Sequence, residues 1–164
     1  MMNAITLGFV MVNVLRIRSI YNGKRFRALT VLDMFSRESL AIYVYKLSKS
    51  EQVCKEMEIL EAARGLPRRI KVDKGPEFIS RALDALAYFN RVKFDYFRPG
   101  TPTNNPHIES FNGSFRDECL NMNWFMSLED ARDKVERWRR DYNEFRQFSA
   151  NIPHAGLIGP KIGL

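Results

Sequence analysis

The chain has 164 residues, with 26 Lys and Arg against 19 Asp and Glu, for a formal net charge of +7. That length supports one domain burying about 70% of the surface an unfolded chain exposes, and a composition of 45% apolar and 27% charged residues excludes a disordered or fibrous chain. The pI near 9.6 points to an anionic partner, of which nucleic acid is the commonest.

Ile5 to Leu15 is β-branched and apolar, and reads as a buried strand. It is about half the roughly 20 residues that cross a bilayer, and Asn13 interrupts it, so no membrane partner is expected. The run leads into Arg16-Ile17-Arg18 rather than a small-residue cleavage site, which argues against a secretory leader. Two more strands follow, Phe26 to Asp33 and Ser39 to Tyr45, with the turn signal Asn22-Gly23 making the first two antiparallel neighbours. A helix is predicted from Ser50 to Arg64, with Val53, Met57 and Leu60 on one face and Gly65 and Pro67 to stop it. Arg69 to Asp73 is a short strand, Ser80 to Phe89 a helix, and Val92, Phe94 and Tyr96 alternate with Lys93 and Asp95 in a fifth strand. Three prolines and a glycine make Arg98 to Pro106 a loop. A helix resumes near His107. The last helix opens on Ser127 and Asp130, a capping pattern, and carries the apolar stripe Leu128, Ala131, Val135, Trp138, Tyr142, Phe145. The order βββ-α-β-α-β-α-α predicts an α/β fold, a mixed sheet with helices on both faces.

Cys54 and Cys119 form no CxxC pair, and His107 and His154 lie far apart, which speaks against a disulfide framework or a zinc site and for a reducing cytoplasm. The carboxylates are more informative. Asp73 ends a short buried strand, and in open α/β sheets ligands collect beyond the carboxyl ends of strands. Glu109 follows the Pro/Gly loop after 35 intervening residues, near the start of a helix. Two hard oxygen donors beside a basic surface suit magnesium-dependent phosphoryl transfer. The plainer reading makes Asp73 a turn former and Glu109 a favourable charge at a helix start. Arg116, seven residues after Glu109, falls on nearly the same helical face, either as a phosphate contact or as a solvated side chain.

The words VDKGPEF (72–78), RPGTPTNNPHIESFNGSFRDECLN (98–121) and WRRDYNEFR (138–146) closely resemble insertion-sequence transposases of the OrfB type, which carry a retroviral-integrase-like core. FRALTVLDMFSRESLAIYV (26–44) is similar to their second and third strands. The resemblance implies a ribonuclease H-like fold, five mixed strands flanked by helices, for a core-like domain over residues 1–148, with 149–164 as an irregular tail. It also implies D-D-35-E carboxylates binding two Mg²⁺ or Mn²⁺ ions that cleave and transfer DNA strands. Asp73 matches the second acid and Glu109 the third, as catalytic and metal-binding residues, while Lys74, Arg98 and Arg116 are the implied DNA contacts, joined by the arginines from Arg132 to Arg140. DNA is the implied partner, bound by a homo-oligomer, with a helical DNA-binding region supplied before the core or by a partner protein. The location so implied is the cytoplasm, on the nucleoid when DNA is bound.

Two departures stand out. Relatives have Asp-Asn-Gly where this chain has Asp73-Lys74-Gly75, and Asp within a first-strand run that here reads Leu7-Gly8-Phe9-Val10. Gly8 supplies no ligand atom, and Asp33, at the end of the second strand, is a poor substitute. Three readings follow: a transposase core impaired at its first acid, a non-catalytic DNA-binding or oligomerising remnant, and a metal-dependent nuclease of the ribonuclease H type. The loop leading into HIESFNG favours the transposase group over the nuclease.

Overall fold

The computed structural model describes residues 9–18, 23–46, 50–72, 78–96 and 106–151, the last with side chains to residue 146. Strand β1 (Phe9–Arg18) pairs antiparallel with β2 (Arg25–Asp33), which pairs antiparallel with β3 (Ser39–Tyr45). Helix α1 (Ser50–Arg64) crosses over to β4 (Arg69–Val72), which lies parallel to β1, and α2 (Arg81–Phe89) crosses over to β5 (Lys93–Tyr96), parallel to β4. The five strands stand in the order β3-β2-β1-β4-β5. Helix α3 (Pro106–Ser114) passes directly into a π-helical segment, Phe115–Leu120, and α4 (Leu128–Asn151) closes the chain as described.

Alternation along the central strands sorts side chains into two cores. Val10, Val12, Leu29, Val31, Ile70 and Val72 meet α1 and α2. Met11, Ile17, Phe26, Ala28 and Leu32 meet α3, the π-helical segment and α4. The predicted mixed sheet with helices on both faces is therefore the observed one. Local chemistry explains several boundaries. Gly65 takes φ +80° just past α1 and donates its N–H to the Glu61 carbonyl at 2.8 Å, the left-handed stop that glycine permits. Ser80 caps α2 by accepting the Leu83 N–H at 3.1 Å. Helix α2 ends in a Schellman arrangement, Val92 N–H to the Ala87 carbonyl at 2.8 Å and Arg91 N–H to that of Tyr88 at 3.3 Å, with Arg91 at φ +55° where glycine is the usual residue. At the start of α4, Ser127 Oγ accepts the Asp130 N–H at 3.0 Å and Asp130 accepts that of Met126 at 2.9 Å, the capping pattern read from sequence.

Three expectations need correction. Strand β1 runs on to Arg18 rather than ending at Leu15, because Arg16 and Arg18 stay in register with Arg27 and Arg25 in a longer hairpin. The α4 stripe holds through Tyr142, but Phe145 is 72% exposed because the helix there has passed the core that covers Ala131 and Val135. Two of the α4 arginines hydrogen-bond to the backbone of β3 rather than standing free for phosphate. Arg132 Nε donates to the Val44 carbonyl at 3.0 Å, and Arg139 Nη1 donates to the Ser39 carbonyl at 2.6 Å. Asn143 completes this clamp on the outer edge of β3, accepting the Ser39 N–H at 2.9 Å and donating to its carbonyl at 3.0 Å. An edge strand with unpaired backbone groups invites pairing with other chains, and α4 satisfies several of those groups here.

Candidate active site

Pro106 opens α3, where its missing N–H costs the helix nothing. Ile108 and Phe111 point into the core, and Phe111 and Phe115 stack at 6.3 Å between ring centroids. Trp138 of α4 packs against both rings, at 5.8 and 5.0 Å, and Tyr142 meets Phe111 edge-on at 5.1 Å. This aromatic cluster fixes α3 against α4 and so fixes the direction of Glu109. The Glu109 side chain is exposed, and among the described residues no hydrogen bond or ion pair engages it. One turn on, Asn112 Oδ1 is buried without a hydrogen-bond partner. Arg116 is exposed within the π-helical segment, whose i to i+5 bonding is seen where the Asn121 N–H meets the Arg116 carbonyl at 2.8 Å. Its guanidinium also has no ion pair among the described residues.

The carboxyl ends of the parallel strands set the other side of the site. Val72, the last residue of β4, lies in register with Val12 of β1 and Tyr96 of β5. Tyr96 donates its hydroxyl to the Phe78 carbonyl at 3.2 Å, tying the end of β5 to the entry of α2. Asp73, Lys74 and Arg98 lie outside the described residues, as does Gly8. The structure thus describes Glu109 and Arg116 among the expected site residues. Among the described residues no three metal-ligating side chains come together.

Asp33 is described, and its environment is that of a turn former. Only 6% exposed, it accepts the Phe35 N–H at 3.0 Å through one oxygen and the Ser36 hydroxyl at 2.8 Å through the other. Both oxygens hold the β2–β3 turn, so this carboxylate is not free to move toward a metal. Asn13 has a different character. It lies between Met11 and Leu15 in the strand alternation, on the sheet face covered by α3 and α4, and its rung partner on β2 is Thr30. Its Oδ1 accepts the Val14 N–H at 2.8 Å, and its carbonyl accepts the Thr30 hydroxyl at 3.3 Å. Sequence reasoning registered Asn13 only as a break in an apolar run. An amide inside the apolar stretch Phe9 to Leu15 was the signal available.

A five-stranded mixed sheet in this order, helices on both faces, with an acid-bearing helix against it, is the ribonuclease H-like architecture. A sequence model described as "Integrase core domain" matches residues 11–102, and a second of the same description matches residues 90–157. The first spans more than half of the chain, which therefore belongs to the integrase core domain family. The chain is 46% identical over 129 residues to the "Insertion element IS407 uncharacterized 31.7 kDa protein" of Burkholderia multivorans (strain ATCC 17616 / 249), covering 79% of this chain and 47% of that protein. It is 45% identical over 136 residues to the "Insertion element IS476 uncharacterized 39.2 kDa protein" of Xanthomonas euvesicatoria, covering 82% and 39%. The chain thus spans less than half the length of these curated relatives. Among solved structures it is similar to a chain of the simian T-cell lymphotropic virus intasome in complex with PP2A regulatory subunit B56 gamma, with TM-score 0.66 and 17% identity, covering 81% of this chain and 48% of that one. It is also similar to the HTLV-2 integrase catalytic core domain in complex with magnesium (trimeric form), with TM-score 0.58 and 18% identity, covering 79% and 82%. At such identities the likeness carries the fold, and the fold agrees with the ribonuclease H-like expectation. Among the described residues no helix is long and apolar enough to cross a membrane.

Proposed function

We propose that this chain is the catalytic-core portion of an insertion-element transposase, built for metal-dependent cleavage and transfer of DNA strands, and that the core as written is impaired at its first acid. The observation that carries the reading is Glu109. It is a carboxylate held outward by an aromatic-anchored helix, with no competing partner among the described residues, in a chain of the integrase core domain family. Asp73, bonded directly to the last residue of β4, is the second acid in this reading.

The donor chemistry suits Mg²⁺ or Mn²⁺ in part. Two carboxylates and the unpartnered amide oxygen of Asn112 are hard oxygen donors for one divalent ion. A pair of ions needs an acid on β1 as well, and β1 as described (Phe9–Arg18) carries none. The chemistry such ions supply in this fold is activation of the attacking oxygen and neutralisation of charge on the scissile phosphodiester. Lys74, Arg98 and Arg116 are proposed to hold phosphates around the site, Arg116 supported by its exposure and lack of an ion pair.

We propose a second place for the missing acid. The sequence words set it at Gly8, but the β1–β4 ladder runs from Phe9 opposite Arg69 to Val12 opposite Val72. Asp73 follows Val72 at one peptide spacing, about 3.8 Å between Cα atoms, and the β1 residue that follows Val12 is Asn13. Gly8 precedes the opposite end of that ladder. Asn13 also shares the sheet face on which α3 packs. The register therefore supports Asn13 as the position where an acid would join Asp73 and Glu109.

Homo-oligomer assembly on DNA, a helical DNA-binding region elsewhere or on a partner, and a cytoplasmic, nucleoid-bound location belong to the same proposal. The second reading, a DNA-binding or oligomerising remnant without catalysis, is favoured by that acid-free β1. Nicking of supercoiled plasmid in Mn²⁺ separates the two. Nicking by Asn13→Asp that disappears in Asn13→Asp/Glu109→Gln supports an impaired core. Nicking by Asn13→Asp that persists in the double variant refutes the site, and silence throughout with retained DNA binding supports the remnant.

A further inference from the structure

Helix α2 buries Leu83 and Ala87, and its last turn ends on two aromatic residues that neither core uses. Tyr88 and Phe89 are 81% and 80% exposed, with ring centroids 5.7 Å apart and planes at 78°. An edge-to-face pair leaves at least one face of each ring uncovered, and among the described residues no cation lies over either ring. Single apolar side chains on a surface are ordinary, whereas two adjoining rings offer open π-faces to a planar ligand. The backbone brings cations to the same end of the helix. The Arg91 N–H bonds to the Tyr88 carbonyl at 3.3 Å, and the Lys93 N–H to the Arg68 carbonyl at 2.9 Å. Arg68 and Arg91 are exposed, and neither has an ion pair among the described residues. Lys93 shares Asp95 with Arg69, so its charge is partly met, and Asp84, the acid of α2, stands a turn before Tyr88. Arg91 moreover holds φ +55°, where glycine is less strained, so a cation stands there at a cost in stability.

We propose that this end of α2 binds single-stranded DNA, with Tyr88 and Phe89 as a stacking platform for unpaired bases and with Arg91 and Arg68 as phosphate contacts. The proposal rests on the reading of the chain as a DNA-acting core, and it adds a site which that reading does not use. The platform adjoins the Arg69–Lys93 rung, whereas Asp73 follows the Val72–Tyr96 rung, about 10 Å further along the strands. Helix α2 also packs on the sheet face opposite α3. Duplex DNA keeps its base faces inside the stack, so it gains from the cations alone. An unpaired strand can stack its bases on the rings and set its phosphates against the guanidinium groups. An apolar peptide would use the rings and leave the free guanidinium groups unmatched. A strand carrying both bases and phosphates complements both, in a chain of net charge +7.

The test is fluorescence anisotropy of a labelled thymidine homo-oligonucleotide and of a labelled duplex, each titrated with the full chain at a series of NaCl concentrations. Every variant is checked for folding by its urea midpoint. Tyr88→Ala/Phe89→Ala is expected to lose at least about tenfold in affinity for the single strand, the loss of one stacked base or more, and to keep its duplex affinity. Tyr88→Phe/Phe89→Tyr keeps both rings and should bind as the parent does. Arg91→Gly should lower the single-strand slope of log K against log[NaCl] by about 0.7, one phosphate contact, although relief of its backbone raises the urea midpoint. Weaker binding by a more stable chain separates contact from folding. The proposal is overturned if the alanine pair binds the single strand as tightly as the parent, or loses duplex affinity equally. A parent chain that binds duplex but no single strand overturns the platform and leaves the Glu109-side reading standing, and one that binds neither overturns both. A dimer in sedimentation velocity that the alanine pair abolishes, with single-strand affinity unchanged, would reassign the rings to a contact between copies of the chain.

Discussion

The clamp of α4 on the edge of β3 can be tested as a coupled pair. Ser39 is wholly buried, and its carbonyl accepts from both Arg139 Nη1 and Asn143 Nδ2, while its N–H has Asn143 Oδ1 as acceptor. In Asn143→Ala the carbonyl keeps Arg139 and the N–H is orphaned, a loss of about 2 kcal/mol within the 1–3 kcal/mol range for an unmet buried group. In Arg139→Ala the carbonyl keeps Asn143, but Glu136 loses its closest partner, at 2.7 Å. That ion pair is partly exposed and contributes little, so about 1 kcal/mol is expected from the lost hydrogen bond. In the double variant the Ser39 carbonyl has neither partner, so the cost should exceed the sum of the singles by about 1 kcal/mol. Urea denaturation with unchanged m measures each loss, and a chain of 164 residues should fall by about 2–4 °C in Tm per kcal/mol. Strict additivity, with no excess beyond about 0.3 kcal/mol, would refute the shared-acceptor reasoning.

Two further outcomes are expected. Arg91→Gly should stabilise by about 1 kcal/mol, because Arg91 occupies the left-handed position of a Schellman motif at φ +55°; a loss on urea denaturation would contradict that strain. Burial pushes the Glu56 carboxyl above its ordinary value of 4.5. A raised folded pKa means ionisation opposes folding, so Glu56→Gln should raise stability at neutral pH, with the gain fading as pH falls through the raised folded pKa and gone below about 4.5, where the acid is protonated in both states. A pH-independent gain would mean that desolvation of the charge is not its cause.

Much of the architecture was legible in local sequence. Ser39–Tyr45 and Ser50–Arg64 have the bounds that alternation, a one-faced apolar stripe and Gly65 predict. The strand and helix order then left few sheet topologies. What escaped was non-local. The register of β1 depends on how far the hairpin continues through like-charged rungs, and no local propensity favours pairing Arg16 with Arg27. The register of β1 against β4 is likewise what supports the proposal of Asn13 as an acid position. The hydrogen bonding of Arg132 and Arg139 to β3 likewise depends on where that strand presents its free carbonyls, which the charges of an amphipathic helix cannot indicate. The π-helical bonding after α3 was hidden because Phe111, Phe115 and Cys119 recur at intervals of four, as in an ordinary α-helix. At the candidate site, sequence marked the acids and basic residues by resemblance but passed over Asn112, whose buried oxygen becomes notable only once its surroundings are known.

The central claim is that an integrase-type core lacks one acid on β1 beside an otherwise available Glu109. Isothermal titration of Mn²⁺ into the full chain and into Asn13→Asp tests it without needing turnover. The account expects weak binding to the parent chain, binding at least about tenfold tighter in Asn13→Asp, equal to about 1.4 kcal/mol, and loss of that gain when Glu109→Gln is added. Equal affinity in parent and Asn13→Asp, or a gain that survives Glu109→Gln, would contradict it.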